Sequence, residues 1–285
     1  MSRTVYVNGE YLPEEDAKIS VFDRAFLFAD GVYEVTAVVG GKLLEFSGHM
    51  ARLRRSLGEL GINEPASEDE LLAIHREMVA RNGLDEGLIY LQVTRGSADR
   101  DFAFPPADTV PSLVLFTQAG PVIDKPTAAK GLRVALLPDM RWGRRDIKTV
   151  QLLYPSIAKM EAKKLGKDDA WLVEDGKITE GTSNNAYIVL EDGRVVTRPL
   201  SHAILPGITR ASLMRVAAEH GVTIEERPFT VEEARSAREA FITSASSFAT
   251  PVVEIDGVAI GDGRPGPLSM RLREIYIEES LRNAI

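Results

Sequence analysis

The sequence predicts an α+β fold, built from largely antiparallel sheet with helices between the strands. Two observations carry this prediction. Glycine-containing dipeptides that suit tight hairpin turns separate many short apolar runs. Apolar residues at helical spacing occur in several other segments. Because hairpins join neighbouring antiparallel strands, the pattern favours this class over a doubly wound parallel sheet.

The strands are predicted from these turns and from the apolar runs. Five hairpins have turn residues that accept a positive φ, namely Asn8-Gly9, Gly40-Gly41, Asp175-Gly176, Asp192-Gly193 and Asp256-Gly257. Further strands are expected in the apolar segments LIYLQVT, SLVLFTQ, LRVALLP and AFITSAS.

Six helices are predicted between these strands. In the first, Met50 and Leu57 share one face, and Gly61 ends the helix. The second begins with a capping box formed by Ser67 and Glu70. The others are expected over residues 157–165, 209–220, 230–237 and 268–281.

The least regular stretch lies near the middle of the chain and contains two prolines. It runs from Gly120 to Pro126, between one predicted strand and the next. Such a segment is typical of a linker between domains. We therefore predict a small N-terminal α/β domain over residues 1–119, a linker over 120–130 and a larger C-terminal domain over 131–285.

The composition is that of an ordinary globular chain, and it excludes several chemistries. Of 285 residues, 44% are hydrophobic and 27% are charged, and none is cysteine. Disulfides, thiolate metal sites and a cysteine nucleophile are therefore excluded. The four histidines lack the spacing of a metal site, so no metal is expected. The formal net charge of −8 disfavours nucleic acid as a partner.

The first residues are polar, and no apolar run is long enough to span a bilayer. We therefore expect a cytoplasmic protein without a membrane partner.

Two segments contain residues that could carry chemistry. In DIKTVQLL, Lys148 lies between Ile147 and Val150. A lysine amine held among apolar side chains can lose its proton and act as a nucleophile. The alternative is a lysine whose aliphatic stem follows a strand edge while its amine stays in solvent. In KITEGTSNN, Glu180 precedes a loop of small residues, where a carboxylate could bind a cationic ring nitrogen or simply end a strand.

Further segments could bind anions. A predicted helix starts near Thr209, where a hydroxyl and free N–H groups suit an anion or form a plain N-cap. Ser244 belongs to a hydroxyl-rich cluster at a strand end. Arg95 and Arg100 lie in a loop after a strand, where guanidinium groups can bind a carboxylate or serve solubility. Arg52 lies off the apolar face of its helix, which by itself predicts a solvated arginine.

Together these residues form the set that pyridoxal phosphate chemistry on amino acids needs. A lysine binds the aldehyde, a carboxylate keeps the pyridine nitrogen protonated, and an anion cradle holds the phosphate. The ordered motifs DRAFLFADGVYE, HMARL, VTRG, DIKTVQLL, ITEGTSNN, LPGITR and FITSAS resemble those of the fold-type IV aminotransferases, most closely the D-amino acid transaminase branch. The resemblance covers nearly the whole chain in the same order.

The resemblance implies a pseudo-barrel C-terminal domain, pyridoxal 5'-phosphate between the domains, and a homodimer with the active site near its interface. It assigns Lys148 to the cofactor aldehyde and Glu180 to the pyridine nitrogen. The other cofactor-binding residues that it implies are Arg52, Leu205, Ile208, Thr209, Ser244 and Ala245. On the substrate side it implies Tyr33, with Arg100 and Phe102 in a carboxylate-binding loop that relatives supply across the dimer.

Two further positions concern the choice of substrate. The carboxylate loop usually reads Arg-x-His in the D-amino acid branch, but here Phe102 replaces the histidine and removes a hydrogen-bond donor. Leu153 stands where branched-chain aminotransferases usually have tyrosine, which matches the D-selective branch.

The expected activity is transfer of the amino group of a D-amino acid, such as D-alanine or D-glutamate, to a 2-oxo acid. Two alternatives share the scaffold: an L-branched-chain amino acid aminotransferase and an R-selective amine transaminase. An alternative of another class is a non-catalytic binding protein on the same fold.

Overall fold

The computed structural model describes residues 2–285, which divide into two compact units. Unit 1 comprises residues 2–122, the segment Ile147–Gln151 and the final residues Asn283–Ile285. Unit 2 comprises Ile123–Asp146 and Leu152–Arg282. Lys148 therefore groups with unit 1, although the sequence on both sides of its segment belongs to unit 2. The predicted domain bounds themselves stay a prediction.

Unit 1 contains a six-stranded antiparallel sheet and three helices. The strands are β1 (Thr4–Val7), β2 (Glu10–Pro13), β3 (Gly31–Val39), β4 (Lys42–Leu43), β5 (Glu86–Thr94) and β6 (Ser112–Ala119), in the spatial order β2-β1-β6-β5-β3-β4. The helices are α1 (Arg24–Phe28), α2 (Phe46–Leu60) and α3 (Glu68–Asn82). Ile89, Leu91 and Val93 alternate along β5 and are fully buried, so one face of the sheet carries the apolar core.

The segment Ile147–Gln151 pairs with the first residues of β3. The backbone N–H of Tyr33 donates to the carbonyl of Lys148 at 3.0 Å, and that of Val150 donates to the carbonyl of Gly31 at 3.0 Å. These bonds fix the backbone at the lysine and just after it.

Unit 2 contains a nine-stranded mixed sheet. Its strands are β7 (Leu132–Pro138), β8 (Asp169–Glu174), β9 (Lys177–Gly181), β10 (Asn185–Val189), β11 (Val195–Thr197), β12 (Ile224–Glu226), β13 (Glu239–Ser244), β14 (Phe248–Ile255) and β15 (Val258–Ala259). The spatial order is β12-β11-β10-β13-β14-β7-β8-β9, and β15 pairs with β14. The helices are α4 (Pro126–Lys130), α5 (Leu153–Lys164), α6 (Ile208–Glu219), α7 (Val231–Arg235) and α8 (Pro267–Arg282). The core of this unit includes Trp171, Ile188 and Phe229, all fully buried.

The predicted fold class is confirmed, and each predicted hairpin is present. The sequence predicted largely antiparallel sheet. The sheet of unit 2 also contains parallel pairs, since β7 lies parallel to both β14 and β8. Helices α1 and α4, of five residues each, were not predicted. Among the helices of residues 2–285, none combines the length and apolar character that crossing a bilayer requires.

Candidate active site

Lys148 and Tyr33 lie together in unit 1. The Lys148 Nζ is 4.1 Å from the centroid of the Tyr33 ring, within the range of a cation–π contact. The backbone N–H of Lys148 faces the hydroxyl of Ser56 at 3.4 Å, on the turn of α2 that follows Arg52. The lysine is half-buried, so its amine is held against a ring rather than free in solvent.

An aromatic stack orients the ring of Tyr33. Its centroid lies 5.5 Å from that of Tyr90, with an interplanar angle of 22°. The Tyr90 ring in turn stacks on Phe116 at 4.7 Å. The three residues belong to the neighbouring strands β3, β5 and β6, so the sheet itself fixes the face that Tyr33 presents to the lysine.

Arg52 is buried, and the expectation of a solvated arginine is wrong. Its Nε donates to Oε1 of Glu34 at 2.8 Å, and its Nη2 donates to Oε2 at 2.7 Å. The Nδ1 of His49 lies 2.7 Å from the same Oε2. Because Glu34 points from β3 with no exposed surface, it supplies the countercharge that permits an arginine to be buried there. Helical periodicity could not reveal this partner, because it lies on a strand 18 residues earlier.

The protonation of this cluster follows from its geometry. Burial alone would raise the pKa of the Glu34 carboxyl, but the Arg52 guanidinium and the His49 ring lower it to about 2. Burial lowers the pKa of His49, and Glu34 opposes that change only in part. The cluster is therefore a charged Glu34–Arg52 pair beside a neutral histidine.

The predicted substrate loop is anchored by a buried arginine. Arg24 donates from Nε to Asp30 at 2.8 Å and from Nη1 to the carbonyl of Asp101 at 2.8 Å. Arg100 and Phe102 flank this anchor. The Arg100 guanidinium lies 5.5 Å from the Phe102 ring centroid, and Phe102 itself is 79% exposed.

Arg95 does not fit the suggested role of a substrate clamp. Its guanidinium donates to both oxygens of Asp30 at 2.7 and 3.1 Å, and to the carbonyls of Leu60 and Gly61 at 2.7 and 2.8 Å. These bonds tie the end of α2 to the region after β5, so Arg95 stabilises the fold of unit 1.

Glu180 and Leu205 lie together in unit 2. Glu180 is near the end of β9, with only 3% of its surface exposed. The backbone N–H of Leu205 faces both carboxylate oxygens at 3.2 Å. Asn185 links the two residues, because its Nδ2 donates to Glu180 Oε2 and to the Leu205 carbonyl, each at 2.9 Å. Glu180 therefore does more than end a strand.

Arg141 is the strongest partner of Glu180, and it was not predicted. Its Nη1 donates to Glu180 Oε1 at 2.5 Å. Its Nε and Nη2 donate to the two oxygens of Asp139 at 3.0 and 2.7 Å. Burial raises the pKa of Glu180, and Arg141 opposes that effect. The sequence signal that could have indicated this site is the Asp139-x-Arg141 spacing just after β7.

The loop after Glu180 is held by a second buried carboxylate. Asp169 accepts hydrogen bonds from Thr182 Oγ1 at 2.6 Å and from Asn184 Nδ2 at 2.8 Å. The Asn184 side chain rests against Gly181, where any Cβ atom would overlap it. The loop of small residues is therefore a fixed structure rather than a simple turn.

The residues predicted to hold a phosphate lie in two segments, the start of α6 and the end of β13 with the loop that follows it. α6 starts at Ile208 after the N-cap Gly207, which offers no side-chain cap, so Thr209 is not the N-cap. Its first N–H groups can therefore bind an anion. Asn185, which binds Glu180, lies opposite Thr243 in the register of β10 against β13, one residue before Ser244.

The second segment of the cradle is the loop after β13. Ser244 and Ala245 are both half-buried there, and the hydroxyl of Ser244 lies 3.4 Å from that of Ser246. Among residues 2–285, no group of histidine, aspartate and glutamate side chains is arranged to bind a metal.

Comparison with known proteins gives the family. The model of the amino-transferase class IV family matches residues 31–255. The chain is 36% identical to a D-alanine aminotransferase of Staphylococcus aureus (strain MSSA476) over 272 residues, which cover 95% of each chain. It is 37% identical to a D-alanine aminotransferase of Bacillus licheniformis over 283 residues, which cover 99% of this chain and 96% of that one.

A solved structure agrees with the fold. The branched-chain amino acid aminotransferase of Thermoproteus uzoniensis with norvaline has a TM-score of 0.85 and 28% identity, and the match covers 99% of this chain and 96% of that one. The chain is therefore an aminotransferase of class IV, and it belongs to that family over most of its length. The resemblance inferred from the motifs is confirmed.

Proposed function

We propose that this protein transfers the amino group of D-amino acids, of the D-alanine and D-glutamate type, to a 2-oxo acid with pyridoxal 5'-phosphate as cofactor. The observation that carries the proposal is the similarity to D-alanine aminotransferases, at 36% and 37% identity over at least 95% of the chain. Leu153 in place of tyrosine is the second support, because it matches the D-selective branch.

The residues present fit this cofactor. Glu180 is a buried carboxylate that suits a protonated ring nitrogen, and the uncapped start of α6 suits a phosphate. Lys148 offers an amine held against an aromatic ring. The family resemblance assigns the phosphate to Arg52 and to Ile208, Thr209, Ser244 and Ala245, and it assigns Leu205 to the face of the ring.

Bound pyridoxal phosphate supplies an aldehyde and a ring that accepts electrons from the substrate Cα. Lys148 would hold the aldehyde through Nζ, and its free amine would move the proton at the substrate Cα. Glu180 holds a proton at the ring nitrogen, and Asn185 keeps its carboxylate oriented. Glu34 orients Arg52 through two hydrogen bonds, so the guanidinium has a fixed direction before any phosphate binds.

The residues proposed to contact the substrate are Tyr33, Arg100 and Phe102. Tyr33 faces the amine of Lys148, and the stack behind it prevents the ring from turning away. Arg100 would bind the substrate carboxylate, while Phe102 replaces a donor by an apolar surface. We therefore expect weaker carboxylate binding than a loop with histidine would give.

Two observations favour competing substrates on the same scaffold. The structural neighbour is a branched-chain amino acid aminotransferase, which favours L-branched-chain substrates. The exposed apolar ring of Phe102 favours an R-amine without a carboxylate. Either substrate would use the same lysine and glutamate.

Single half-reactions separate these possibilities. The protein loaded with pyridoxal phosphate is mixed with D-alanine, D-glutamate, L-leucine or (R)-1-phenylethylamine, and the loss of its visible absorption band is followed. The D-amino acids are expected to react fastest. A faster reaction with L-leucine or with the amine would overturn the stereochemical or the carboxylate assignment. A protein without a cofactor band that borohydride can reduce would support a non-catalytic binding role.

We also propose a cytoplasmic homodimer. Helix α5 carries Leu153, Ile157 and Met160 on one exposed face, at 76%, 46% and 53% exposure. A second copy of the chain is the partner that the family resemblance implies. Sedimentation should give a dimer for the wild type, and Leu153→Glu with Met160→Glu should shift it toward monomer. A wild-type monomer would contradict the proposal.

A further inference from the structure

A chain of alternating charges leads from the surface of unit 2 to Glu180. Glu174 pairs with Arg145 at 2.7 Å, and Arg145 lies 3.4 Å from Asp139. Asp139 takes two bonds from Arg141, which reaches Glu180. Three carboxylates and two guanidinium groups leave the cluster with one net negative charge.

The outer carboxylate, Glu174, is 37% exposed and also interacts with Arg198, whereas at the buried end Asp139 and Glu180 share the guanidinium of Arg141. Asp139 is fully buried at its side chain and receives a further bond from the hydroxyl of Thr179 at 2.7 Å. Its carboxylate therefore occupies one edge of Arg141 through two N–H groups, and only one N–H of that guanidinium is directed at Glu180. Glu180 is thus paired with an arginine whose charge Asp139 has largely balanced.

Two buried carboxylates that share one guanidinium group are stabilised by an additional cation. The face of Glu180 is the place where the family resemblance puts a pyridine nitrogen. We propose that Asp139 and Arg141 are positioning residues that keep Glu180 a carboxylate and set how strongly it binds a protonated ring nitrogen. This inference rests on the proposed function, because it takes the cation to be the cofactor ring.

The two positioning residues should act in opposite directions. Removing the charge of Asp139 would leave Arg141 unbalanced, so its positive charge would disfavour a second cation at Glu180. Removing the charge of Arg141 would take a positive charge away from Glu180, so Glu180 would stabilise a protonated ring nitrogen more strongly. A purely structural role would instead damage the site in the same way in both variants.

Other ionisable side chains act on this cluster and remain in place in the test. Arg198 lowers the pKa of Glu174 together with Arg145, and the Tyr154 hydroxyl donates to the carbonyl of Pro138 beside Asp139. Because these groups are unchanged in every variant, they shift all titrations equally.

The experiment uses the complete protein loaded with pyridoxal phosphate labelled with ¹⁵N in the ring. The pH midpoint of the ring nitrogen is read from its NMR shift, and the cofactor dissociation constant is measured in parallel. Asp139→Asn should lower the midpoint by about one pH unit and weaken cofactor binding about tenfold, whereas Arg141→Met should raise the midpoint by a similar amount. Arg141→Lys keeps the charge and should lie near the wild type.

Arg194 provides a matched control. It pairs with Asp192 two residues earlier and with Glu225, each at 2.8 Å, and so repeats the arrangement of Arg141 at the surface. Arg194→Met should leave the midpoint unchanged. If Arg141→Met does not fold, Asp139→Asn and Arg141→Lys still give the comparison. Midpoints that stay constant or move in the same direction would overturn the inference, whereas a wild type that binds no cofactor would overturn the proposed function.

Discussion

The pKa values of two buried glutamates, one in each unit, are shifted in opposite directions. Each has at most 3% of its surface exposed, and each accepts a hydrogen bond from an arginine, which is Arg52 for Glu34 and the partly buried Arg141 for Glu180. The pKa of Glu34 falls to about 2, whereas the pKa of Glu180 is raised above its ordinary value. Burial is therefore not what distinguishes them.

The difference lies in how each arginine distributes its donors. Arg52 gives two N–H groups to Glu34, and His49 adds a third contact. Arg141 gives one N–H to Glu180 and two to Asp139. Glu34 thus belongs to a compensated pair that orders structure, while Glu180 keeps the capacity to bind another cation.

The largest expected effect is on catalysis at Glu180. Glu180→Gln removes the charge that we propose holds the ring nitrogen protonated, so kcat/KM for D-alanine should fall about 10³-fold, or about 4 kcal/mol in barrier height. Steady-state kinetics with D-alanine measures this change. The exposed Glu191 offers a control, because Glu191→Gln should leave the kinetics unaltered. A loss below tenfold for Glu180→Gln would contradict the role assigned to it.

The next effect is on stability at Glu34. Glu34→Gln leaves Arg52 buried without its countercharge, which should reduce the free energy of unfolding by about 3–5 kcal/mol. Glu180→Gln should cost less than half as much, because Arg141 retains Asp139. Urea denaturation of both variants makes the comparison. Equal losses would show that the two carboxylates do not differ in the way described.

Acid sensitivity should arise in unit 1 from His75 on α3. Burial lowers the pKa of this histidine from 6.5 to about 4, and its Nδ1 bonds the Leu71 carbonyl at 2.7 Å. The unfolded chain binds the proton first, so stability should fall by about 3 kcal/mol as the pH drops from 6.5 to 4. Glu34 adds to the loss only below pH 4.5, down to about 2.

The measurement is the free energy of unfolding as a function of pH for wild type and His75→Leu. The variant should lose much of the slope between pH 6.5 and 4, while His220→Leu, at an exposed histidine, should retain it. An unchanged slope in His75→Leu would assign the acid sensitivity elsewhere.

The smallest effects should come from the capping boxes, one in each unit. Ser67 caps α3 with Glu70, and Thr230 caps α7 with Glu233. Replacing either hydroxyl residue by alanine should cost about 1 kcal/mol of stability. Thermal unfolding of the two variants provides the test. A loss above about 3 kcal/mol for either one would mean that the residue does more than cap a helix.

The sequence predicts correctly those features that depend on residues close together in the chain. The capping box of Ser67 and the turn of Asn8-Gly9 depend on adjacent residues, and both were predicted correctly. The burial of Arg52 was missed because its partner Glu34 lies on another element. The bond between Arg141 and Glu180 was missed for the same reason, since 39 residues separate them. Local patterns indicate elements, whereas the electrostatics of a site depends on pairs that only the fold brings together.

We propose that Lys148 is the residue of this aminotransferase that bonds to the cofactor aldehyde. Borohydride reduction of the protein loaded with pyridoxal phosphate, followed by peptide mass spectrometry, identifies the lysine that has bonded to the aldehyde. The label should occur on Lys148 and be absent from the corresponding peptide of Lys148→Ala. A label on another lysine with Lys148 unmodified, or no label at all, would contradict the assignment of Lys148 to the cofactor aldehyde.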